Sequence, residues 1–250
     1  LRLLIGGSPS KLFHLKEFSE ELVKFGVESK VVLDIDYSDG FPSRKISHWF
    51  QGNIKFEDLV KSFKPDAILV DRQKHFGLAA SKTNIPLIVH LRGDYWKEMK
   101  MAKETLYKSP PKRLALWRWE RIADRCFERA DLILPICKHL EDRTKEYYPK
   151  LNIDTMYQGI NPDNWYPIDG MKLNHPSVGL LQSAVIWEKV REMLTLEPVL
   201  KNMSHVTFYW VGDGPYREYI TSRLSKYENF KWLGHMQYPD KVREYLDEID

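Results

Sequence analysis

A short segment gathers the side chains that the chemistry of sugar phosphates uses. A histidine, an arginine, a carboxylate and two aromatic rings lie within seven residues, His90-Leu91-Arg92-Gly93-Asp94-Tyr95-Trp96. Arginine can clamp phosphate oxygens, and an aspartate can accept the proton of a hydroxyl group. The segment therefore predicts His90, Arg92 and Asp94 as catalytic residues, although a salt-bridged loop without a ligand would contain the same residue types.

Two glycines, Gly6 and Gly7, end the first apolar run of the chain. Glycine permits a tight turn with close backbone approach, and the free N–H groups of a following helix can bind an anion. We predict an anion-binding turn at this point, while a plain strand-to-helix turn would look the same. A nicotinamide cofactor would require glycines in G-x-G-x-x-G spacing, which the residues after Gly7 do not supply.

Two acids, Asp34 and Asp36, follow the second predicted strand. An acid in this place can hold the ribose of a dinucleotide, and a D-x-D pattern can clamp a metal ion. Acids at strand ends are also common in solvated loops, so the pattern does not decide between a site and a surface loop.

Two further segments carry possible ligand contacts in the second half of the chain. Glu188-Lys189-Val190-Arg191 opens a predicted helix, where cations oppose the helix dipole unless an anion binds there. Val211-Gly212-Asp213-Gly214-Pro215 ends the following strand, and its glycines permit a close turn. Taken alone, the second segment predicts a turn and nothing more.

Alternating strands and helices must position these residues. The periodicity predicts strands at 1–5, 29–33, 66–70, 86–91 and 132–136, with helices at 12–25, 55–63, 76–83 and 113–129. A second set has strands at 177–181, 206–211 and 230–233, with helices at 188–200, 218–227 and 240–246. This alternation is typical of parallel sheets covered on both faces. We therefore predict an α/β protein with two Rossmann-like domains, residues 1–160 and residues 161–250, the second of them incomplete.

The order and spacing of the segments resemble glycosyltransferase family 4, whose members are retaining enzymes with the two-Rossmann GT-B fold. The resemblance covers nearly the whole chain. Its matching segments are Gly6-Gly7, Ala130-Asp131-Leu132-Ile133, Gln158-Gly159-Ile160-Asn161, Lys189, Val211-Gly212-Asp213-Gly214-Pro215, Trp232-Leu233-Gly234 and Tyr245-Leu246-Asp247-Glu248-Ile249-Asp250.

The resemblance implies a retaining transfer of a sugar from a nucleoside-diphosphate sugar to a glycan, lipid or small molecule. It implies no metal and no other cofactor, with the first domain on the acceptor side and the second binding the nucleotide sugar. Arg92 or Asp94 would stand near the reacting sugar. The residues implied for the donor diphosphate are Gly6, Gly7, Lys189 and Arg191, and those implied for the nucleotide are Gly212, Gly234, His235 and Met236.

Three departures from the family pattern accompany this resemblance. Ala184 stands where the family usually has an arginine, so that phosphate binding would depend more on Arg191 or Arg92. Cys137 stands where a serine is common. The paired glutamates that hold the ribose and the sugar in the family would lie beyond Asp250, which leads us to expect a fragment with an incomplete donor site.

Two other functions stay open at this point. A nucleotide-sugar epimerase is built on the same plan of two Rossmann-like domains and would consume no acceptor. A non-catalytic fragment that binds a sugar nucleotide or a lipid would also fit the expected truncation.

A basic, tryptophan-bearing segment covers residues 95–125. It contains nine basic and four acidic side chains, a net charge of +5, together with Trp96, Trp117 and Trp119. Such a surface could rest on anionic lipid headgroups. Its apolar residues at helical spacing could equally form an ordinary core face.

The composition of the chain limits the remaining classes of protein and of partner. With 250 residues, 43% of them hydrophobic, and a net charge of +3, the chain is globular and its charge predicts no nucleic-acid partner. Its apolar runs are too short to span a bilayer. Cys126 and Cys137 form no metal or redox motif. We predict both cysteines to be buried and reduced in a cytoplasmic protein, and contact with the cytoplasmic face of a membrane is left open.

Overall fold

Two parallel sheets organise the chain in a computed structural model that describes residues 1–43, 46–50 and 52–250. One sheet belongs to unit 1 (Leu1–Ile160) and the other to unit 2 (Asn161–Asp250). All strand pairs in both sheets are parallel, and helices connect them. The predicted α/β class with parallel sheets is confirmed.

Five parallel strands form the sheet of unit 1. Its strands are β1 (Arg2–Gly7), β2 (Glu28–Leu33), β3 (Ala67–Val70), β4 (Leu87–Leu91) and β5 (Leu132–Pro135). They lie in the order β2-β1-β3-β4-β5. The chain proceeds outward from β1 in one direction and from β3 in the other, so the strand order reverses between β1 and β3. This switch point is where the sheet can hold a ligand.

Helices cover both faces of this sheet. They are α1 (Leu12–Val23), α2 (Asp34–Tyr37), α3 (Ile54–Phe63), α4 (His75–Ala80), α5 (Tyr95–Glu104), α6 (Pro110–Arg129) and α7 (Lys138–Tyr147). Because successive strand residues face opposite sides, Leu3 and Ile5 of β1 pack with Leu15 of α1. Leu4, between them, packs in the core that contains Phe56 of α3. Strands β1, β3 and β4 are therefore buried on both faces, as their apolar sequences predict, whereas the edge strand β2 has one buried residue.

Unit 2 has a sheet of β6 (Ser177–Leu181), β7 (Thr207–Val211) and β8 (Phe230–Gly234), in that order. Its helices are α8 (Trp187–Leu194), α9 (Glu197–Asn202), α10 (Arg217–Leu224) and α11 (Asp240–Glu248). Tyr245 fastens α11 to the sheet. Its hydroxyl donates to the carbonyl of Tyr209 and accepts from the N–H of Leu180, each at 2.8 Å. Burial raises the pKa of the Tyr245 hydroxyl to about 12, which keeps this hydrogen-bond donor protonated.

The prediction of one helix over 188–200 is wrong. α8 ends at Leu194 and α9 begins at Glu197, with Pro198 in the first turn of α9. Proline lacks the N–H that a continuing helix needs, and its ring clashes with the preceding turn. Helices α5 and α7 were not predicted, because charged residues make up half or more of their sequences.

Among the described residues, no helix has both the length and the apolar content that crossing a bilayer requires. Both cysteines are free. Cys126 is buried, and burial raises the pKa of its thiol to about 12, so the thiol is unreactive. Cys137 is partly exposed at the N-cap of α7, and the prediction that it is buried is wrong.

Candidate functional site

The switch point of unit 1 is lined by Gly7, which ends β1, and by Asp71, which directly follows β3. The N–H of Asp71 donates to the carbonyl of Gly6 at 2.9 Å, which extends the ladder between these strands. Open parallel sheets bind ligands outside the carboxyl ends of their strands at such a point. Asp71 was not predicted from the sequence, although it is the first charged residue after a wholly apolar strand.

Asp71 has Arg92 as its counter-ion. The side chain of Asp71 is 0% exposed, and its Oδ1 accepts a hydrogen bond from Nε of Arg92. Nη1 of Arg92 donates to the amide oxygen Oε1 of Gln158, whose residue is exposed. Arg92 therefore connects a buried carboxylate to the surface, and its charge is already paired within the protein.

His90 lies in β4 beside this ion pair. Its side chain is 3% exposed, and its Nδ1 is 3.8 Å from Oδ1 of Asp71, which is too long for a hydrogen bond. Within the described ranges, neither ring nitrogen of His90 has a hydrogen-bond partner, and neither does Oδ2 of Asp71. Each buried polar atom left unpaired costs about 1–3 kcal/mol.

His14 of α1 is a further titratable group that interacts electrostatically with the pair. Burial lowers the pKa of its imidazole, and Lys11 and Arg92 lower it further, while Glu17 and Asp71 oppose the effect. His14 is therefore within electrostatic reach of both Arg92 and Asp71. His14 lies on an ordinary amphipathic helix, so the sequence gives no sign of its interaction with Arg92 and Asp71.

Asp94 has structural partners of its own. It is the N-cap of α5, where its Oδ1 accepts a hydrogen bond from the N–H of Lys97 at 3.0 Å. Its Oδ2 is 3.6 Å from Nε of Arg143 in α7. The structure thus brings His90 and Arg92 together around Asp71, while Asp94 starts a helix and pairs with another arginine. The catalytic role of Asp94 stays a prediction.

Gly6 and Gly7 belong to β1 itself, so the prediction that the strand breaks there is wrong. A Cβ at Gly6 would lie 2.4 Å from the ring of Phe76, and one at Gly7 would lie 2.0 Å from Cδ1 of Leu15. The missing side chains therefore make room for Phe76 and Leu15. Close packing accounts for these glycines without an anion.

Asp34 and Asp36 lie in α2, in different surroundings. Asp34 is 6% exposed, and burial raises the pKa of its carboxyl group against the opposing effect of Lys74. Asp36 is exposed. In the part of the chain that the structure describes, no group of three or more histidine, cysteine or acidic residues is placed to hold a metal ion.

In unit 2, Gly212 and Gly234 meet at the carboxyl ends of β7 and β8. The N–H of Gly212 donates to the carbonyl of Gly234 at 2.8 Å, and the indole N–H of Trp232 donates to the carbonyl of Gly212 at 2.8 Å. Gly234 has a φ of 80°, a conformation that favours glycine. A Cβ at Gly212 would lie 1.9 Å from the carbonyl oxygen of Gln182. Gly212 and Gly234, which were predicted to bind the nucleotide, therefore lie in one tightly packed group of loops.

The loop after β6 completes this group. The N–H of Ala184 donates to the carbonyl of Asp213 at 3.0 Å, and a Cβ at Gly214 would lie 2.4 Å from the carbonyl oxygen of Ala184. Ala184 is 0% exposed. The indole N–H of Trp210 donates to the carbonyl of Gln182 at 2.8 Å. Three loops, one from each strand, are thus fixed side by side at one edge of unit 2.

Lys189 lies in the first turn of α8, which follows the first of these loops. The N-cap is Ile186, and no side chain caps the helix, so the N–H groups of the first turn are open to an anion. We find no ion pair for Lys189 or Arg191 among the described residues. Glu188, in the same turn, has both carboxylate oxygens buried without a hydrogen-bond partner in the described part of the chain. This helix end therefore presents one cation and several amide donors, while its one carboxylate is buried.

His235 and Met236 follow Gly234. His235 is exposed. Met236 packs against the cluster of Tyr209, Val211 and Tyr245. Met236 thus has a packing role, whereas the imidazole of His235 lies at the surface beside the loop group.

The outer face of α6 is the exposed part of the basic segment. Leu114 is 54% exposed and Trp117 is 50% exposed. The guanidinium of Arg121 lies 5.6 Å from the ring centre of Trp117. Trp96, by contrast, stacks on Tyr147 with ring centres 4.1 Å apart. Of the three tryptophans in this segment, Trp117 alone reaches far into solvent, because Trp119 packs with the core of unit 1.

No protein-family model matches the chain, and none of the curated proteins matches its sequence. Solved structures share its fold. Anabaena HepE, in complex with UDP and glucose, is 15% identical with a TM-score of 0.59, over 100% of this chain and 72% of HepE. A UDP-N-acetylglucosamine 2-epimerase is 16% identical with a TM-score of 0.57, over 97% of this chain and 71% of the enzyme. S. aureus TarM, in a complex that includes UDP, is 13% identical with a TM-score of 0.53, over 78% of this chain.

The chain spans 39% of the length of TarM. At these identities the likeness shows the fold alone. That fold is the GT-B type, built from Rossmann-like α/β units, and the predicted fold class is confirmed at this level.

Proposed function

We propose that the chain is the sugar-transferring part of a glycosyltransferase that uses a nucleoside-diphosphate sugar. The acceptor is a glycan, a lipid or a small molecule. The observation that carries the proposal is the first turn of α8, where Lys189 has no ion-pair partner among the described residues and the helix has no side-chain cap. Such a turn beside a group of glycine loops suits a diphosphate. The GT-B fold, found in structures solved with UDP, supports the same choice.

In this proposal, Lys189 and the amides of α8 stabilise the negative charge that develops on the departing diphosphate. Arg191 assists them, while Gly212, Gly234 and His235 lie against the nucleotide. The resemblance to family 4 adds a retaining, front-face reaction that needs neither a protein nucleophile nor a metal ion. Gly6 and Gly7 are left out of the diphosphate site, because Phe76 and Leu15 fill the space beside them.

Replacing Lys189 by alanine tests the diphosphate assignment. The Lys189→Ala variant should bind its nucleoside diphosphate more weakly by about 1.5–3 kcal/mol, the worth of a charge-assisted hydrogen bond. Calorimetric titration with UDP, GDP and ADP measures the loss, and thermal stability should barely change. Lys201→Ala, which removes an exposed lysine of α9, is the matched control and should bind normally. Equal affinity of wild type and Lys189→Ala would rule the assignment out.

A nucleotide-sugar epimerase is the second candidate, because an epimerase is among the structures that share the fold. Product analysis separates the two reactions. A transferase consumes an acceptor and releases nucleoside diphosphate, whereas an epimerase yields an altered sugar with no acceptor consumed. Binding of a sugar nucleotide with neither product would indicate a binding role.

We also propose that the outer face of α6 contacts an anionic membrane surface. Exposed Leu114 and Trp117 supply apolar contact, and the basic residues of α5 and α6 supply charge complementarity to acidic headgroups. A lipid-linked acceptor would then be presented to the enzyme at that surface.

A further inference from the structure

An open recess lies in unit 1 between the C-terminal ends of α4 and α6. Its volume is about 310 Å³, which is the size of a small ligand pocket. Three basic side chains and one acidic side chain line it, together with one hydroxyl group and one apolar side chain. The residues of this α6 recess are Leu78, Ser81, Lys82, Arg125, Glu128 and Arg129. The proposed transfer of a sugar gives the recess no role.

Most charged groups of the α6 recess are free to meet a ligand. Arg129 is held in place, because its Nη1 donates to Oδ2 of Asp131 at 3.0 Å. Lys82, Arg125 and Glu128 are exposed, and the described part of the chain gives none of them an ion-pair partner. Opposite charges thus line one recess without neutralising one another.

The helix ends decide which kind of ligand suits the α6 recess. The C-terminal end of a helix carries partial negative charge and attracts cations. The end of α6 and the carboxylate of Glu128 therefore repel a simple anion, whereas the basic side chains attract one. A ligand with a phosphate group and a neighbouring ammonium group satisfies both, because its phosphate pairs with Lys82 and Arg125 and its ammonium pairs with Glu128.

The α6 recess continues the exposed face of α6 that carries Leu114 and Trp117. Positions 114, 117, 121, 125 and 128 are three or four residues apart, so they lie on one face of the helix. The distance from Trp117 to Arg125 is about 12 Å along the helix axis. A membrane surface that lies against Trp117 therefore presents its headgroups to Arg125 and Glu128.

We infer that the α6 recess binds the headgroup of a phospholipid that carries a primary ammonium group beside its phosphate, as phosphatidylethanolamine does. This inference rests on the proposed membrane contact of α6 and names its lipid. The basic residues of segment 95–125 attract any acidic surface, whereas the recess selects one headgroup. Phosphatidylcholine has the same net charge, but its quaternary ammonium has no N–H group to donate to Glu128.

Replacing Glu128 by glutamine tests the inference, with phosphatidylethanolamine and phosphatidylcholine as the paired probes. Each vesicle contains equal parts of phosphatidylglycerol and one of these two lipids, so that the net charge of the vesicles is the same. Sedimentation measures the affinity of the protein for each. Wild type should bind the phosphatidylethanolamine vesicles about 3–5-fold more tightly, the fold-change expected of an exposed ion pair. Glu128→Gln should lose that preference.

Two matched controls accompany this test. Glu20→Gln removes an exposed carboxylate of α1, outside the recess, and should keep the wild-type preference. The two lipids also pack differently, but that difference affects Glu20→Gln and Glu128→Gln alike. Arg125→Gln should weaken binding to both kinds of vesicle more than Arg113→Gln does, which removes an exposed cation of α6 outside the recess.

A wild type that binds the two kinds of vesicle equally, or a Glu128→Gln protein that keeps the preference, overturns the inference and leaves the membrane contact in place. Equal losses in Arg125→Gln and Arg113→Gln also overturn it, because diffuse attraction of charge would then suffice. A wild type that binds neither kind of vesicle overturns both the inference and the membrane contact.

Discussion

Gly6 and Gly7 make room for neighbouring side chains in the core, although their position in the sequence suggests that they bind an anion. Both follow an apolar run, as glycines of phosphate-binding turns do. In the folded chain they are the last two residues of β1, and the ring of Phe76 and the side chain of Leu15 occupy the space above them. Phe76 is itself 1% exposed and cannot move aside without disturbing the core of unit 1.

The Gly6→Ala substitution should therefore destabilise unit 1 by about 1–3 kcal/mol through overpacking against Phe76. Urea unfolding measures the loss. Gly52→Ala is the control, since a Cβ at Gly52 meets no atom within 4 Å, and it should change stability by less than about 0.5 kcal/mol. A Gly6→Ala protein of normal stability that no longer binds nucleoside diphosphate would restore the anion-binding interpretation.

Helix α7 illustrates how one carboxylate can fasten an element. Glu141 lies in its first turn with a side chain that is 2% exposed. It accepts hydrogen bonds from the ammonium groups of Lys138 and Lys145 and from the hydroxyl of Thr155. These partners, Lys138 first, lower the pKa of the Glu141 carboxyl group from 4.5 to about 2. The carboxylate thereby joins α7 to Thr155 in the segment that follows this helix.

This lowered pKa gives stability a defined dependence on pH. A group whose pKa is lower in the folded state stabilises the fold above its unfolded pKa, and the contribution is lost as the pH falls through the folded value. For Glu141 the loss occurs between pH 4.5 and about 2. Glu141→Gln should be less stable at neutral pH and should lose less stability on acidification than wild type. Urea unfolding in buffers across this range measures both slopes. Glu146→Gln, on the same helix but 58% exposed, should keep the wild-type slope.

The sheet elements could be predicted from the sequence because apolar runs between helices leave few alternatives to a parallel sheet. The elements that were missed are marked in the sequence by single capping or helix-breaking residues and not by apolar periodicity. α5 begins where Asp94 caps it, and the α8–α9 break follows from Pro198. Asp71 was missed for a related reason. An acid after a strand is common, and what distinguishes this one is the strand order, which places β3 beside β1 at the switch point.

At the scale of the whole molecule, charge is divided unevenly between the units. Unit 1 has 28 basic and 22 acidic side chains, a net charge of +6, whereas unit 2 has 10 and 13, a net charge of −3. The segment 95–125 accounts for +5 of the charge of unit 1. The proposed membrane contact therefore belongs to unit 1, because positive charge favours acidic lipid headgroups and the net charge of unit 2 is negative.

Vesicle sedimentation tests the membrane contact. Wild type should co-sediment with phosphatidylglycerol vesicles more than with phosphatidylcholine vesicles, and less so as salt rises, because salt screens the attraction. Trp117→Ala should weaken the contact several-fold, since it removes a half-exposed ring from the outer face of α6. Leu246→Ser, which changes an apolar residue of unit 2 that is 46% exposed, should have no effect. Binding that does not distinguish the two lipids would contradict the proposal.

The two indole hydrogen bonds of unit 2 give the loop group an intrinsic optical signal. Trp210 donates to the loop after β6 and Trp232 to the loop after β7, and their ring centres are 6.0 Å apart. The emission wavelength of an indole responds to the polarity and hydrogen bonding around its N–H group. Rearrangement of these loops around a ligand would therefore shift tryptophan fluorescence. Trp210 and Trp232 are thus intrinsic fluorescent reporters at the place where the nucleotide is proposed to bind.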